Sequence, residues 1–408
     1  MDLEIFFNRF NDFDIRINHD ARYVDQKCTP DIVCFIADCI LNTSCANKSF
    51  SINDLWEETF FEQNCRVVFG KPSPTDPKAR NEYNKVLSQP LKLLAYAHVL
   101  NVVNQGRNLI FKVAEQKVLE FISIKERNAF QFLYFFFKAV VEQSGIKRFF
   151  DEYESMCKEN PNLAKDTIYS RYHKFISANT PSQSKIDCDR MFHKVFNIFA
   201  FSKGLPGSNG KILNWYDLMY NRLNWRDTGK KKSETREESE KTKIKNINEN
   251  FYLDYQVKKA IRLIKQMHGE ISEVNDDLAA GKATEVHHIF PKSKYPLLAA
   301  YLENLILLTS SQHRQRAHVN SNFNTINPDY QLCCLLAKSR TIEKYIIANG
   351  ETCYTKKAFT YIVNEGLEKK LIEDSDSFDV MRKRICYEYN QTGCLNAADC
   401  QATYNVKK

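Results

Sequence analysis

Four of the nine histidines in the chain fall between residues 287 and 318, and elsewhere His is sparse and isolated. His287 and His288 are adjacent, Asn304 follows, and His313 and His318 complete the set. A neutral imidazole is a common metal ligand and the usual general base near neutral pH. Two adjacent imidazoles, an amide and further imidazoles form a candidate constellation for metal-assisted hydrolysis.

Three elements must bring these residues together. Thr284 to Phe290 is short, β-branched and apolar, and Pro291 stops it. Asn304 to Leu308 is a second apolar run and a second strand. Thr309, Ser310 and Ser311 can cap a helix running from Gln312 to Val319. The His pair then ends one strand, Asn304 starts the next, and His313 sits on the first turn of the helix.

This stretch, His-His-Ile-Phe-Pro-Lys-Ser, then Glu-Asn-Leu, then Gln-His, resembles the HNH motif of ββα-metal nucleases. It is most similar to HNH-type type II restriction endonucleases. The resemblance implies that His287 and His313 bind a metal and that His288 is the general base. It also implies that Asn304 ties the hairpin together and orients the base. Many members carry a second helical His in the spacing His-x3-His. Here four residues separate His313 from His318, and positions i and i+5 stand roughly 140° apart on a helix. Either the helix ends before His318, which is then free to be a third ligand, or His318 is not a ligand.

Phosphodiester hydrolysis requires a nucleophile, charge relief on the phosphate and help for the leaving oxygen. His288 can supply the first by taking a proton from water. Imidazole ligands suit zinc or nickel on softness. The resemblance and a phosphate substrate imply Mg2+ instead, with Mn2+ able to substitute. Arg314 and Arg316 beside the helical His, and Lys292 and Lys294 in the hairpin loop, are candidate contacts to the DNA backbone.

The 408 residues suffice for two or three domains, and 43% hydrophobic content with 28 Phe and 20 Tyr fills ordinary globular cores. Only 12 Gly and 11 Pro argue against repeats or long disorder. A net charge of +8, from 58 basic and 50 acidic residues, permits a polyanion partner without demanding one. The 13 Cys are scattered without C-x2-C spacing, so free thiols in a reducing cytosol are the simplest account. Cys386, Cys394 and Cys400 lie close together in sequence but lack an evident fourth zinc ligand. Met1 to Phe13 is not a signal peptide, and the greasiest run, Phe130 to Val141, is too short to span a bilayer. These features imply a cytoplasmic protein.

Other chemistry fails on its motifs. Gly204 to Lys211 resembles a phosphate loop, but Leu205 occupies the required Gly position and Ile212 that of Ser or Thr. Pro30-Asp31 and Glu115-Gln-Lys117 are too far apart for the other common restriction fold. Gly-x-Ser-x-Gly, His-Glu-x-x-His and a dinucleotide fingerprint are absent.

The predicted architecture is mainly α with small β-hairpins. In residues 1–125, helices at Asp31–Leu41, Ser51–Glu58 and Pro90–Leu100 precede a hairpin, Asn101-Val-Val to Asn108–Val113. That order is the one of a winged helix, whose usual partner is DNA. Lys92, Arg107 and Lys112 are its candidate phosphate contacts. Residues 126–226 read as a helical domain, with His173 and His193 as packed or surface residues. Residues 227–250 read as a charged linker, and 251–408 as the nuclease domain with its ββα core at about 283–320. The functional expectation is a type II restriction endonuclease acting on double-stranded DNA, with a homodimer favoured because one nuclease motif serves two strands. The alternatives are a modification-dependent or phage-defence HNH nuclease, and a non-enzymatic DNA-binding protein with a degenerate site.

Overall fold

The computed structural model describes residues 1–69, 73–77, 79–105, 108–220, 248–318 and 326–391. The chain divides into two compact units, Met1–Lys245 and Asn246–Lys408. It is mainly helical, with two small antiparallel sheets. Among the described residues, no helix is long and apolar enough to cross a membrane.

In the N-terminal unit, α1 (Leu3–Phe7) and α2 (Ile15–Asn18) lead to α3 (Pro30–Leu41). Thr29 and Pro30 start α3 as a helix N-terminus requires, and the helix is buried from Pro30 through Ile40. Burial on every side takes in two carboxylates. Asp31 accepts the Tyr220 N–H at 3.0 Å, and Asp38 accepts the Asn42 amide at 3.0 Å. β1 (Phe50–Ser51) and α4 (Ile52–Trp56) follow, with Ser51 and Asp54 forming a capping box. Next come α5 (Thr59–Phe69) and α6 (Arg80–Tyr96).

The helix expected at Pro90–Leu100 is corrected here. It begins ten residues earlier, at Arg80, and Pro90 lies inside it. Proline removes one helical donor and normally ends a helix. Tyr83, Val86 and Leu87 before it and Leu91, Leu93 and Leu94 after it are all buried, so one continuous apolar face carries the helix through. The sequence reading also omitted α5.

β2 (Leu100–Gln105) and β3 (Asn108–Val113) form the expected hairpin, and β1 joins it in the order β1-β3-β2. Phe50 lies opposite Phe111 across β1 and β3, both fully buried. The rest of the unit is α7 (Gln116–Ile124), α8 (Glu126–Gln143), α9 (Lys147–Cys157), α10 (Pro161–Asn179) and α11 (Lys185–Ser202). α3 packs on both α7 and α8, so the stretches 1–125 and 126–226 share one compact unit. Most of the 227–250 segment lies outside the described residues, but its end, from Asn248, is helical.

The C-terminal unit opens with α12 (Asn248–His268). β4 (Ala283–His288) and β5 (Leu305–Thr309) pair antiparallel, and the short α13 (Ser310–Gln315) follows directly. α14 (Pro328–Asn349), α15 (Lys356–Gly366) and α16 (Phe378–Gln391) complete the unit. α15 ends at Gly366. Gly366 permits a close approach there, since a Cβ on it would stand 2.5 Å from the Phe290 ring in the β4–β5 connection. Cys386 is a free thiol on α16, while Cys394 and Cys400 lie outside the described residues.

Candidate metal centre

β4 places His287 opposite Ile306 and His288, its last residue, opposite Leu305. Successive strand side chains point to opposite faces, so the two imidazoles diverge. His287 faces inward and is 4% exposed, and its Nε2 has no hydrogen-bond partner. An unpaired polar atom at such depth is uncommon and calls for a ligand, an ion or water.

α13 begins where β5 ends because Thr309 and Gln312 form a capping box. Gln312 is fully buried and saturated. Its amide donates to Val274 O and Asp276 Oδ1, both at 2.8 Å, and its carbonyl accepts from Thr309 N at 2.9 Å and Ser272 Oγ at 2.7 Å. The next residue is His313. The segment 272–276 also holds β5: Glu273 N–H donates to Leu307 O and its carboxylate accepts from Leu307 N, each at 3.0 Å. A buried Lys338 ammonium 3.0 Å away balances that carboxylate and donates to Tyr354 Oη at 2.9 Å.

The expected helix through Val319 is shorter. α13 ends at Gln315, and His318 lies beyond it in an isolated antiparallel bridge with Ile326. Asn327 N–H donates to Ala317 O at 3.0 Å, so the chain on either side of 319–325 is tied together. The break frees His318 from helical spacing. Its ring centroid stands 4.9 Å from that of His313 and 5.2 Å from that of His287, and His287 and His313 are 5.3 Å apart.

One ligand nitrogen from each of His287, His313 and His318 lies within 4.8 Å of the other two. The Nε2 atoms of His313 and His318 are 3.4 Å apart. Two nitrogens bound 2.0–2.1 Å from one tetrahedral ion stand roughly 3.3–3.4 Å apart. Burial holds the His287 imidazole well below its usual pKa, and the neighbouring His313, His318 and His288 push it further down. Burial and then His318 lower His313 in the same way, with Glu285 opposing and Arg314 adding to the effect. Neutral imidazoles with converging lone pairs fit a divalent cation.

His288 is half-buried outside this triad. Its Nε2 faces the Ala299 carbonyl at 3.1 Å. A carbonyl only accepts, so Nε2 carries the hydrogen and Nδ1 keeps a free lone pair. Burial lowers its pKa, with the Ala299 carbonyl opposing and Lys292 assisting. The imidazole is therefore neutral at pH 7, with the Nδ1 lone pair available.

Asn304 ends the turn before β5 and is fully buried. Its carbonyl accepts Phe290 N at 2.8 Å, and its amide donates to Phe290 O at 3.0 Å and Leu298 O at 3.1 Å. It thereby closes the loop that presents Ala299 O, one residue on, to His288.

The basic candidates are less alike than the sequence suggests. Lys292 pairs with Asp254 at 2.5 Å, Lys294 with Glu368 at 3.1 Å and Arg316 with Asp277 at 2.9 Å. Arg314 is exposed on α13. In the N-terminal unit, Lys92 on α6 and Lys112 on β3 are exposed, and Arg107 lies outside the described residues. Sequence reasoning missed Ala299, whose backbone role leaves no side-chain signal, and the Glu273–Lys338 pair, which are far apart in the chain. Gln312 could have been found from the Thr-x-x-Gln capping pattern. No family model matches this chain, and neither a curated protein nor a solved structure matches it.

Proposed function

We propose that the C-terminal unit is a ββα-metal nuclease centre and that the whole chain is a type II restriction endonuclease cutting double-stranded DNA. The observation that carries this reading is the convergence of His287, His313 and His318, with His288 next in sequence to His287 and bonded through Nε2 to the Ala299 carbonyl. In this reading His287, His313 and His318 would hold a divalent cation. Bound there, the cation supplies charge relief to the phosphate and the leaving oxygen. His288 Nδ1 takes a proton from the attacking water, while Ala299 O and Asn304 keep the imidazole oriented. In the same reading Arg314, exposed on α13 next to His313, contacts a phosphate.

An all-imidazole donor set favours nitrogen-preferring ions such as zinc or nickel. Magnesium would depend more on phosphate oxygens and water for its remaining ligands. In the N-terminal unit, the succession α3, β1, α4, α5, α6, β2, β3 with sheet order β1-β3-β2 supports a winged-helix-like recognition module. One motif per chain makes two copies the natural way to cut both strands.

The test is a digest of long DNA of known sequence with Mg2+, Mn2+, Zn2+ or Ni2+ in turn, with the ends mapped. Defined ends that vanish with chelator support the reading. Intact DNA with every ion, from folded protein, overturns it.

A further inference from the structure

The outer face of α6 is fixed in direction by its inner one. Tyr83, Val86, Leu87, Pro90, Leu91, Leu93 and Leu94 are buried. Opposite them lie Asn81, Asn84, Lys85, Ser88 and Lys92, which at 3.6 residues per turn fall within an arc of roughly 100°. Ser88 is half-exposed and the other four are exposed. Glu82, the helix's carboxylate, sits off this stripe and is engaged by the Lys27 ammonium and the Tyr220 hydroxyl. Among the described residues, none of the five stripe side chains is taken up by a hydrogen bond or ion pair.

An ordinary solvated helix face mixes acids with bases at i,i+4 spacing. This face has no acid. It sets two amides and a hydroxyl among two ammonium groups, and Arg80 adds a further exposed cation at the helix start. From Asn81 to Lys92 the helix rises about 16 Å, and the major groove, about 12 Å wide, admits an α-helix. Asn pairs with the adenine edge, Lys with guanine, and Ser with either.

We propose that Asn84, Lys85 and Ser88, at the middle of α6, read base edges in the major groove of duplex DNA, and that Arg80 and Lys92 at its flanks hold phosphates. The choice of partner rests on the DNA-cutting reading above, but the surface can be tested without cleavage.

The test uses the full chain carrying His288→Ala, in chelator. It selects from a randomised duplex library and measures binding to the enriched and a scrambled duplex by fluorescence anisotropy. Asn84→Ala and Lys85→Ala should each reduce the preference for the enriched duplex by roughly 10- to 100-fold. Lys92→Ala should weaken both duplexes alike and flatten the salt dependence by about one counterion. All three positions are exposed, and an unchanged melting curve shows that each variant folds. Preference unaltered by Asn84→Ala and Lys85→Ala overturns the proposal, as does failure to enrich any sequence while the wild-type chain cuts at a defined site. Enrichment lost in these variants, from a wild-type chain that cuts no DNA, supports the reading helix and removes the nuclease.

Discussion

At the smallest scale the proposed nuclease chemistry rests on His288 and Asn304, and substitutions of the two should fail differently. His288→Ala removes the base but none of the three nitrogens of the triad. DNA cleavage should fall by roughly 100- to 10,000-fold. Binding of Mn2+ or Zn2+, followed by calorimetric titration, should be unchanged. A variant that still cuts at the wild-type rate would remove His288 from the mechanism. Asn304→Ala instead strands Phe290 N, Phe290 O and Leu298 O in the interior. Unsatisfied buried groups of this kind cost about 1–3 kcal/mol each, less whatever water recovers. The C-terminal unit should lose about 2–5 kcal/mol in denaturant unfolding, and the surviving folded fraction should cut slowly because Ala299 O no longer holds the imidazole. Stability equal to wild type would contradict the clamp.

Two short elements, β4–β5 and α13, cannot hold the triad alone. A two-stranded hairpin is marginal in water, and α13 is six residues long. Their support comes from neighbours: the 272–276 segment on one side and the close seat of α15 on the other. Lys338→Met tests the first. It leaves the Glu273 carboxylate buried without its cation, and removal of one partner from such a pair is worth about 3–5 kcal/mol. Lys338→Met combined with Glu273→Gln should recover part of that loss in the same unfolding assay. A double variant no better than the single one would show that the charges themselves are not what matters. Gly366→Ala tests the second. Its new methyl group meets the Phe290 ring, and overpacking should destabilise the unit by about 1–3 kcal/mol.

For the molecule as a whole, acidity and metal should act on the C-terminal unit in opposite directions. In an unfolded chain, imidazole titrates near 6.5. Burial holds His268, His287, His288 and His313 below that in the folded unit. Between the two values the unfolded state binds more protons, so stability is fully present above about pH 6.5 and declines as pH falls through the depressed values. Calorimetric unfolding of the metal-free chain should show the transition of this unit moving to lower temperature from pH 7.5 to pH 5. A cation at 100 times its dissociation constant should add about 2.7 kcal/mol at neutral pH. That gain should shrink on acidification, because protons compete for the same nitrogens. A transition indifferent to Zn2+ and Mn2+ would mean that the three imidazoles do not share an ion.

How much was legible beforehand follows from the range of each interaction. The His pair at the end of a strand, Asn304 before the next and His313 in the first turn of a helix could all be read from local signals: apolar runs, Pro291 and a capping Thr. The helix at α3 was legible in the sequence, but the burial of Asp31 and Asp38 on it was not. The bounds of α6 were not, because a local rule, that Pro90 starts a helix, was outweighed by an apolar face extending to both sides of it. His318 is the clearest case. Helical geometry alone posed two outcomes for it, and what chose between them was the end of α13 at Gln315 and the bridge to Ile326. The tautomer of His288 likewise depends on a backbone carbonyl eleven residues away, and the seat of β5 on a lysine thirty-one residues away. Short-range pattern determines which residues are available to do chemistry; their distances, protonation and partners are decided by contacts between segments that no local window contains.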